Sequence, residues 1–357
     1  MYLRDFVQRF KDEVLTSETF SHPDGALLSL YTLADLRNIT VNGGVIKFKE
    51  SFAKQVQLHK LKKMGLLLPS EITKTLHEAS LTKRYRGIKI HDCFCYINEE
   101  EETQSTFVQM DLKDGTTVVV FSGTDDTIVG WKENYNLAYG ECVPCLKYAL
   151  EYVNNLKPDR KYIFIGHSKG GMESLYAGLM CKKEIQDCII SINDYDGTGY
   201  QQKIYDQLKD SPYLYKANLV VPNASTVGRI FFHPIEPKIV YSYKLGLMQH
   251  NPLTWRIKDK EFDYVNDFVP GSETFPKNIS STPNRFSVED LKEFEIALFD
   301  TLGAGGAKTL TDIIPKLFDV EKAFIKLSMK NKKLYLRFMR HLINGKLISV
   351  EMLKLRK

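Results

Sequence analysis

The chain has 357 residues, of which 43% are hydrophobic and 26% charged, a composition that excludes a disordered or low-complexity protein and fits one large domain or two ordinary ones. No window reaches the length of a membrane span, and residues 1–15 alternate charge with apolar side chains instead of forming the unbroken apolar run of a signal peptide. The formal charge of +5 is small but uneven, because residues 321–357 carry eight Lys and three Arg against two Glu.

Residues 1–83 read as mostly helical. Ala26, Leu27, Leu28, Leu30, Tyr31 and Leu33 recur at helical intervals, as do the apolar residues of the Lys-rich stretch 52–68, and Ser70 after Pro69 fits an N-cap. From Gly87 the period falls to two: Ile88-Lys89-Ile90-His91 and residues 107–112 alternate, and Asp114-Gly115 supplies a hairpin turn before Thr117-Val118-Val119-Val120-Phe121. A helix over 142–156 follows, then strands over 162–165, 188–192, 217–221 and 238–243. Strands separated by helices of this length imply a largely parallel sheet. The Pro- and Ser-rich run 270–283 reads as a linker, Ser287-Val288-Glu289-Asp290 as a capping box, and 291–357 as helical, with Leu334, Phe338 and Leu342 on one stripe. The expected organisation is a helical N-terminal region over 1–83 packing on the core, an α/β core over 84–270 and a basic helical C-terminal region over 284–357.

Six cysteines occur without a second pair at metal-ligand spacing or a local histidine partner, so they read as structural thiols, and with the missing leader they point to a reducing cytoplasm. The basic tail is explained by solvated faces of helices whose other faces are apolar; nucleic acid is not expected as a partner, and peripheral membrane contact is the alternative. Oligomeric state is not legible.

Gly166-His167-Ser168-Lys169-Gly170 directly follows the apolar run Tyr162-Ile163-Phe164-Ile165 and precedes a stretch, 172–180, with helical apolar spacing. Strand, Gly-x-Ser-x-Gly and helix together read as a nucleophile elbow, whose sharp turn needs small flanking residues so that strand and helix can approach. The alternative is a glycine-rich loop with an idle serine. A serine hydroxyl needs a histidine to take its proton and a third group to hold the imidazole. His250, just beyond the strand ending at Tyr243, is the expected base; His233 in Phe231-Phe232-His233-Pro234 ranks below it, and His167 is expected to pack beneath the turn. The backbone N–H of Lys169 is the first expected donor to an oxyanion. Thr124, where Phe121-Ser122-Gly123-Thr124 ends an early strand ahead of a loop containing Trp131, is the second.

Phe121-Ser122-Gly123-Thr124 followed by Trp131, with Gly166-His167-Ser168-Lys169-Gly170-Gly171, resembles the class 3, fungal-type lipases of the α/β-hydrolase fold across the central third of the chain. Together with 193–199, Met248-Gln249-His250 before Trp255, and 298–304, the sequence is similar to a bacterial lipase-like family of unknown function over most of its length after residue 20. The resemblance implies an α/β-hydrolase core with a mostly parallel sheet, a Ser168/His250 pair, and cleavage of carboxylic esters, either lipids or small molecules, through an acyl-enzyme without cofactor or metal. It does not imply a particular substrate or acyl length.

One position departs from the class 3 pattern. Those lipases place the triad acid at the end of the second strand after the elbow, and the matching Val221-Pro222-Asn223-Ala224-Ser225 has no carboxylate. Asp194 and Asp196 stand one strand earlier. Asp196 is preferred because its Asp-Gly turn can aim a side chain back at the histidine; a Ser–His dyad oriented by Asn223 or Ser225 is the alternative. For the whole protein, the alternative is a catalytically silent binding or scaffold protein on the same fold.

Overall fold

The computed structural model describes residues 1–33, 44–57, 70–137, 139 and 143–343. Its strands in chain order are β1 (Ile46–Lys47), β2 (Lys89–Asn98), β3 (Thr103–Asp111), β4 (Thr117–Phe121), β5 (Tyr162–His167), β6 (Ile189–Tyr195), β7 (Ala217–Pro222), β8 (Pro237–Val240), β9 (Ile257–Lys258), β10 (Glu261–Phe262) and β11 (Tyr264–Val265). All but β9 and β10, which pair with each other, form one mixed sheet in the order β1-β2-β3-β4-β5-β6-β7-β8-β11. Strands β4 to β8 run parallel. An antiparallel meander from β1 to β4 extends one edge, and β11 pairs antiparallel to β8 at the other.

Because β4 to β8 lie side by side in chain order, right-handed crossovers always step the same way and put the connecting helices on one face of the sheet. The other face must be covered by something else. The N-terminal helices α1 (Leu3–Arg9), α2 (His22–Ser29), α3 (Phe48–Gln57) and α4 (Ser70–Leu81) do this: Phe6, Leu27, Phe52 and Leu76 share one buried cluster with Val118, Val120, Ile163 and Ile165. The alternate strand residues Val119, Phe121 and Phe164 point into a second cluster with the crossover helices. Arg84 locks the N-terminal layer in place, with Nε and Nη2 donating to the fully buried Asp24 at 2.8 and 2.7 Å and Nη1 donating to Glu13 at 2.8 Å.

The crossover helices are α5 (Ile128–Asn136) and α6 (Pro144–Asn154) before β5, α7 (Lys169–Met180) and α8 (Lys183–Cys188) before β6, and α9 (Gln202–Leu208) before β7. The segment after Thr124, expected to be a loop, is therefore largely helix α5; Thr127 caps it by accepting from the Gly130 N–H. The strand expected from Cys188 starts at Ile189, because Cys188 still ends α8, and the strand expected to reach Tyr243 stops at Val240.

Residues 270–283, expected to be a linker, carry α10 (Thr274–Ser280) and the start of α11 (Thr282–Arg285). Pro276 and Pro283 fall in first turns, where a missing N–H leaves no hydrogen bond unmade. The C-terminal region is α12 (Val288–Leu302), α13 (Leu310–Ile313), α14 (Leu317–Lys326) and α15 (Met329–Ile343). It breaks after α12, where Gly305 and Gly306 adopt φ of 68° and 74°. Ser287 caps α12 by accepting from the Asp290 N–H. These helices attach to α5 through aromatic packing: Phe294 stacks on Phe338 at 4.2 Å between ring centroids, and Tyr135 lies 5.8 and 6.1 Å from the same two rings. The expected helix beyond Gln57, Cys142, and the tail after Ile343 lie outside the described residues. Among the described residues no helix is long and apolar enough to cross a membrane.

Candidate active site

Ser168 sits between β5 and α7 with φ 58° and ψ −131°, a conformation that costs a non-glycine residue roughly 1–3 kcal/mol. The local sequence forces it. A side chain at Gly166 would collide with the Gly170 carbonyl, and one at Gly170 with the Phe121 carbonyl, so the strand and helix close on each other only because both positions are bare. The Ser168 N–H donates to Tyr195 O at 3.0 Å, and its carbonyl accepts from Gly171 N at 2.9 Å. A Cβ on Gly123 would stand 3.6 Å from the Ser168 Cβ, so the end of β4 flanks the half-buried serine. Among the described residues the Ser168 Oγ makes no hydrogen bond, and His250 is not joined to it by one.

Asp196 follows β6 and is also left-handed, with φ 55°. It is fully buried. Its Oδ1 accepts from Ser225 Oγ at 2.5 Å and Gly228 N at 3.0 Å, and its Oδ2 lies 2.7 Å from His250 Nδ1. An ionised Asp196 therefore places the imidazole proton on Nδ1 and leaves Nε2 as the basic nitrogen. Asp194 is elsewhere: its Oδ1 accepts from Gly197 N at 2.8 Å, and burial pushes its pKa well above the usual carboxylate range. Ser225 thus reaches the imidazole only through Asp196, while Asn223 Oδ1 accepts from Ser242 N at 3.1 Å and ties β7 to the chain after β8.

His250 ends a 3-10 turn over Gly246–His250 that is fixed from both sides. The buried Trp255 indole donates to Gln249 O at 2.7 Å, and Gln249 Oε1 accepts from Ala224 N at 2.7 Å. His167, beneath the elbow, packs on the imidazole at 4.4 Å between centroids; its Nε2 donates to the His250 carbonyl at 2.7 Å, which fixes its tautomer. Burial, with the proximity of His250 second, holds the His167 pKa well below the usual value and keeps the ring neutral. His233 is pushed down to about 4 by burial and shares no hydrogen bond with these groups among the described residues.

The Lys169 N–H is one of the unpaired donors at the start of α7. Thr124 Oγ1 accepts from Asn134 Nδ2 at 2.6 Å, so its own hydroxyl proton is left to donate elsewhere. Beneath this pair lies a buried polar cluster. Lys169 Nζ donates to the Gln104 carbonyl, to Gln104 Oε1 at 3.0 Å and to Glu133 Oε2 at 2.8 Å. Glu133 also accepts from Thr103 Oγ1 at 2.7 Å, Gln104 N at 3.1 Å and Cys145 N at 3.0 Å. Glu173 stands 3.8 Å from the same ammonium, and neither of its carboxylate oxygens has a hydrogen-bond partner among the described residues. One cation faces two carboxyls; Glu133 takes it, and burial pushes Glu173 up to about 8.

Glu133, Asn134 and the Lys169 side chain escaped the sequence reading. One signal was present: a lysine at the first position of a helix opposes the macrodipole and calls for an anionic partner, although nothing local says which. Helix α5 supplies both partners from adjacent positions, Glu133 to Lys169 and Asn134 to Thr124.

No curated protein matches the chain. Among solved structures, the crystal structure of M37 lipase is similar at 16% identity over 59% of this chain and 70% of that one, with a TM-score of 0.36. Residues 79–300 match the sequence model of the Mbeg1-like family, and this chain belongs to the Mbeg1-like family.

Proposed function

We propose that the protein is a serine hydrolase that cleaves carboxylic esters through an acyl-enzyme, with Ser168 as nucleophile, His250 as general base and acid, and Asp196 as the orienting acid. The observation that carries the reading is the 2.7 Å contact between His250 Nδ1 and the buried Asp196. It stands beside a serine held at positive φ in a strand–turn–helix. Two left-handed non-glycine residues and a fully buried carboxylate are costly to keep, and a silent scaffold has no use for them. The likeness of the Ser168 and Thr124 motifs to class 3 lipases supports the same reading.

The Ser168 Oγ attacks the ester carbonyl carbon as its proton passes to His250 Nε2. The new C–O bond turns the carbonyl oxygen into an oxyanion, which accepts hydrogen bonds from the Lys169 N–H and the Thr124 hydroxyl. His250 returns the proton to the departing alkoxide as the ester C–O bond breaks, which leaves acyl-Ser168 and a free alcohol. Water then repeats the sequence, losing a proton to His250, and releases the acid. Asp196 stays ionised throughout and stabilises the imidazolium. The N-terminal and C-terminal helices are additions around this catalytic core.

The substrate class we assign is acyl esters with an apolar portion. The turn leading to His250 exposes Leu245, Leu247 and Met248, an apolar rim next to the proposed base. Hydrolysis of a short nitrophenyl ester by the wild-type chain, abolished in Ser168→Ala with unchanged melting temperature, is the expected result. Equal turnover by the two proteins would place the reaction elsewhere.

A further inference from the structure

Exposed apolar side chains are not spread evenly over the molecule. Of the 22 large hydrophobic residues exposed among the described residues, eight lie within 314–339 and four within 243–248. Phe318 is 76% exposed and Ile325 62%, on the side of α14 opposite Val320 and Ala323, and Leu317 is 59% exposed. On α15, Leu334 and Phe338 face inward while Met329 and Leu336 face out. Such a face is too apolar for bare water.

Its charge is as informative. Lys322 and Lys326 follow Phe318 at one and two helical turns, and Lys333 and Arg340 share the outward side of α15 with Met329 and Leu336. None of these four cations makes an ion pair among the described residues, whereas Lys330 and Arg337 are tied to Glu293 and Asp290 of α12. Interfaces between proteins are depleted in lysine. Lysines flanking an exposed apolar stripe instead suit a bilayer, where the rings and aliphatic groups enter the acyl boundary and the ammonium groups reach up to phosphates.

The position fits as well. The segment leading into α13 pairs with the chain just after Thr124: Thr127 and Thr309 form an antiparallel bridge, Ile128 N donates to Lys308 O at 2.9 Å and Leu310 N to Asp126 O at 2.9 Å. The apolar turn before His250 follows β8. The lead-in to α13 and the apolar turn before His250 therefore both lie beyond the carboxyl ends of parallel strands, the end that carries Ser168 and Asp196, and α14 follows α13 directly in the chain.

We propose that the outward faces of α14 and α15 dock the protein on an anionic phospholipid bilayer, with the candidate active site at the docked end. Delivery of substrate from that bilayer rests on the hydrolase reading; the docking itself does not.

The test is co-sedimentation of the Ser168→Ala chain with vesicles of phosphatidylcholine alone or mixed with phosphatidylserine, at low and high salt. Binding to the mixed vesicles at low salt, lost at high salt, is expected. Lys322→Glu with Lys326→Glu should weaken it by at least about 25-fold, since each lysine near an anionic surface is worth roughly a fivefold change in partitioning, and Phe318→Asp with Ile325→Asp should separately weaken it by removing the inserted apolar groups. The same pairs in the active chain should leave turnover of a soluble short ester unchanged. No binding at low salt, or binding unaffected by both pairs, overturns the proposal. Concentration-dependent dimers that the Phe318 pair dissolves, without vesicle binding, would assign the face to a second copy instead. Vesicle binding without ester turnover would leave docking standing and remove the hydrolase reading.

Discussion

His167 and His250, 83 positions apart, pack ring against ring with centroids at 4.4 Å and planes tilted by 36°, and the His167 Nε2 donates to the backbone carbonyl of His250 at 2.7 Å. The residue preceding the proposed nucleophile thus holds the residue proposed as its base. Because burial keeps His167 neutral and its donor nitrogen is committed to that carbonyl, it is placed to brace the proposed base and not to carry a proton.

Replacing that brace should be felt in the chemical step. His167→Leu removes one net hydrogen bond, about 1 kcal/mol, and frees the His250 turn. The expected result is a roughly fivefold to tenfold fall in kcat with little change in KM, measured on a soluble ester. An unchanged kcat would show that His250 is positioned by Gln249 and Trp255 alone.

Asp196→Asn should be far more damaging. The asparagine carbonyl can still accept from Ser225 and Gly228, but its amide would donate to His250 Nδ1 and move the imidazole proton to Nε2, where it blocks proton acceptance. The expected loss is on the order of 10⁴-fold in kcat. A loss under tenfold would favour a dyad, and Asp194→Asn serves as the control that leaves the His250 contact intact.

Thr124→Val removes a hydroxyl donor and leaves the Asn134 amide without its acceptor, so kcat should fall by about 10²-fold. Asn134→Ala leaves the hydroxyl in place but lets it rotate, and a smaller fall of roughly tenfold is expected. Thr124→Ser should retain most activity. If Asn134→Ala proves the worse of the two, Thr124 is not the donor.

The buried cluster sets a pH dependence of stability. Glu173 titrates near 4.5 when unfolded and about 8 when folded, so between those values the folded chain binds the additional proton and stability falls as pH rises; below about 4.5 the effect vanishes. Glu173→Gln should abolish that slope and stabilise the protein above pH 8 by roughly 2–4 kcal/mol. Lys169→Met leaves Glu133 buried and unpaired and should cost about 3–5 kcal/mol at neutral pH. Urea titrations across the pH range measure both, and a slope that persists in Glu173→Gln would move its origin to another group.

The sequence made some of these relationships readable and hid others for physical reasons. Period-two runs mark β2 and β3, short apolar runs mark β4 and β5, and Gly166, Ser168 and Gly170 between a β-rich run and a helical one mark the turn, because these signals are local. Asp196 could be argued from its Asp-Gly turn but stood close to a dyad alternative, since its partners Ser225, Gly228 and His250 are 29 to 54 positions away and meet it only in three dimensions. The sequence of α5 reads as a loop because its apolar face is narrow, which hides Glu133 and Asn134. Proline in 270–283 reads as a breaker, although it falls in the first turns of helices. The N-terminal region was legible as helical, but not as the cover for a sheet face that one-way crossovers leave bare.

The most direct measurement is mass spectrometry of the chain after reaction with a fluorophosphonate, which phosphonylates only an activated serine. One adduct on the peptide containing Ser168, absent in His250→Ala, is the expected result. An unmodified Ser168 in the folded wild-type protein, or an adduct that persists without His250, would contradict the pairing of these two residues.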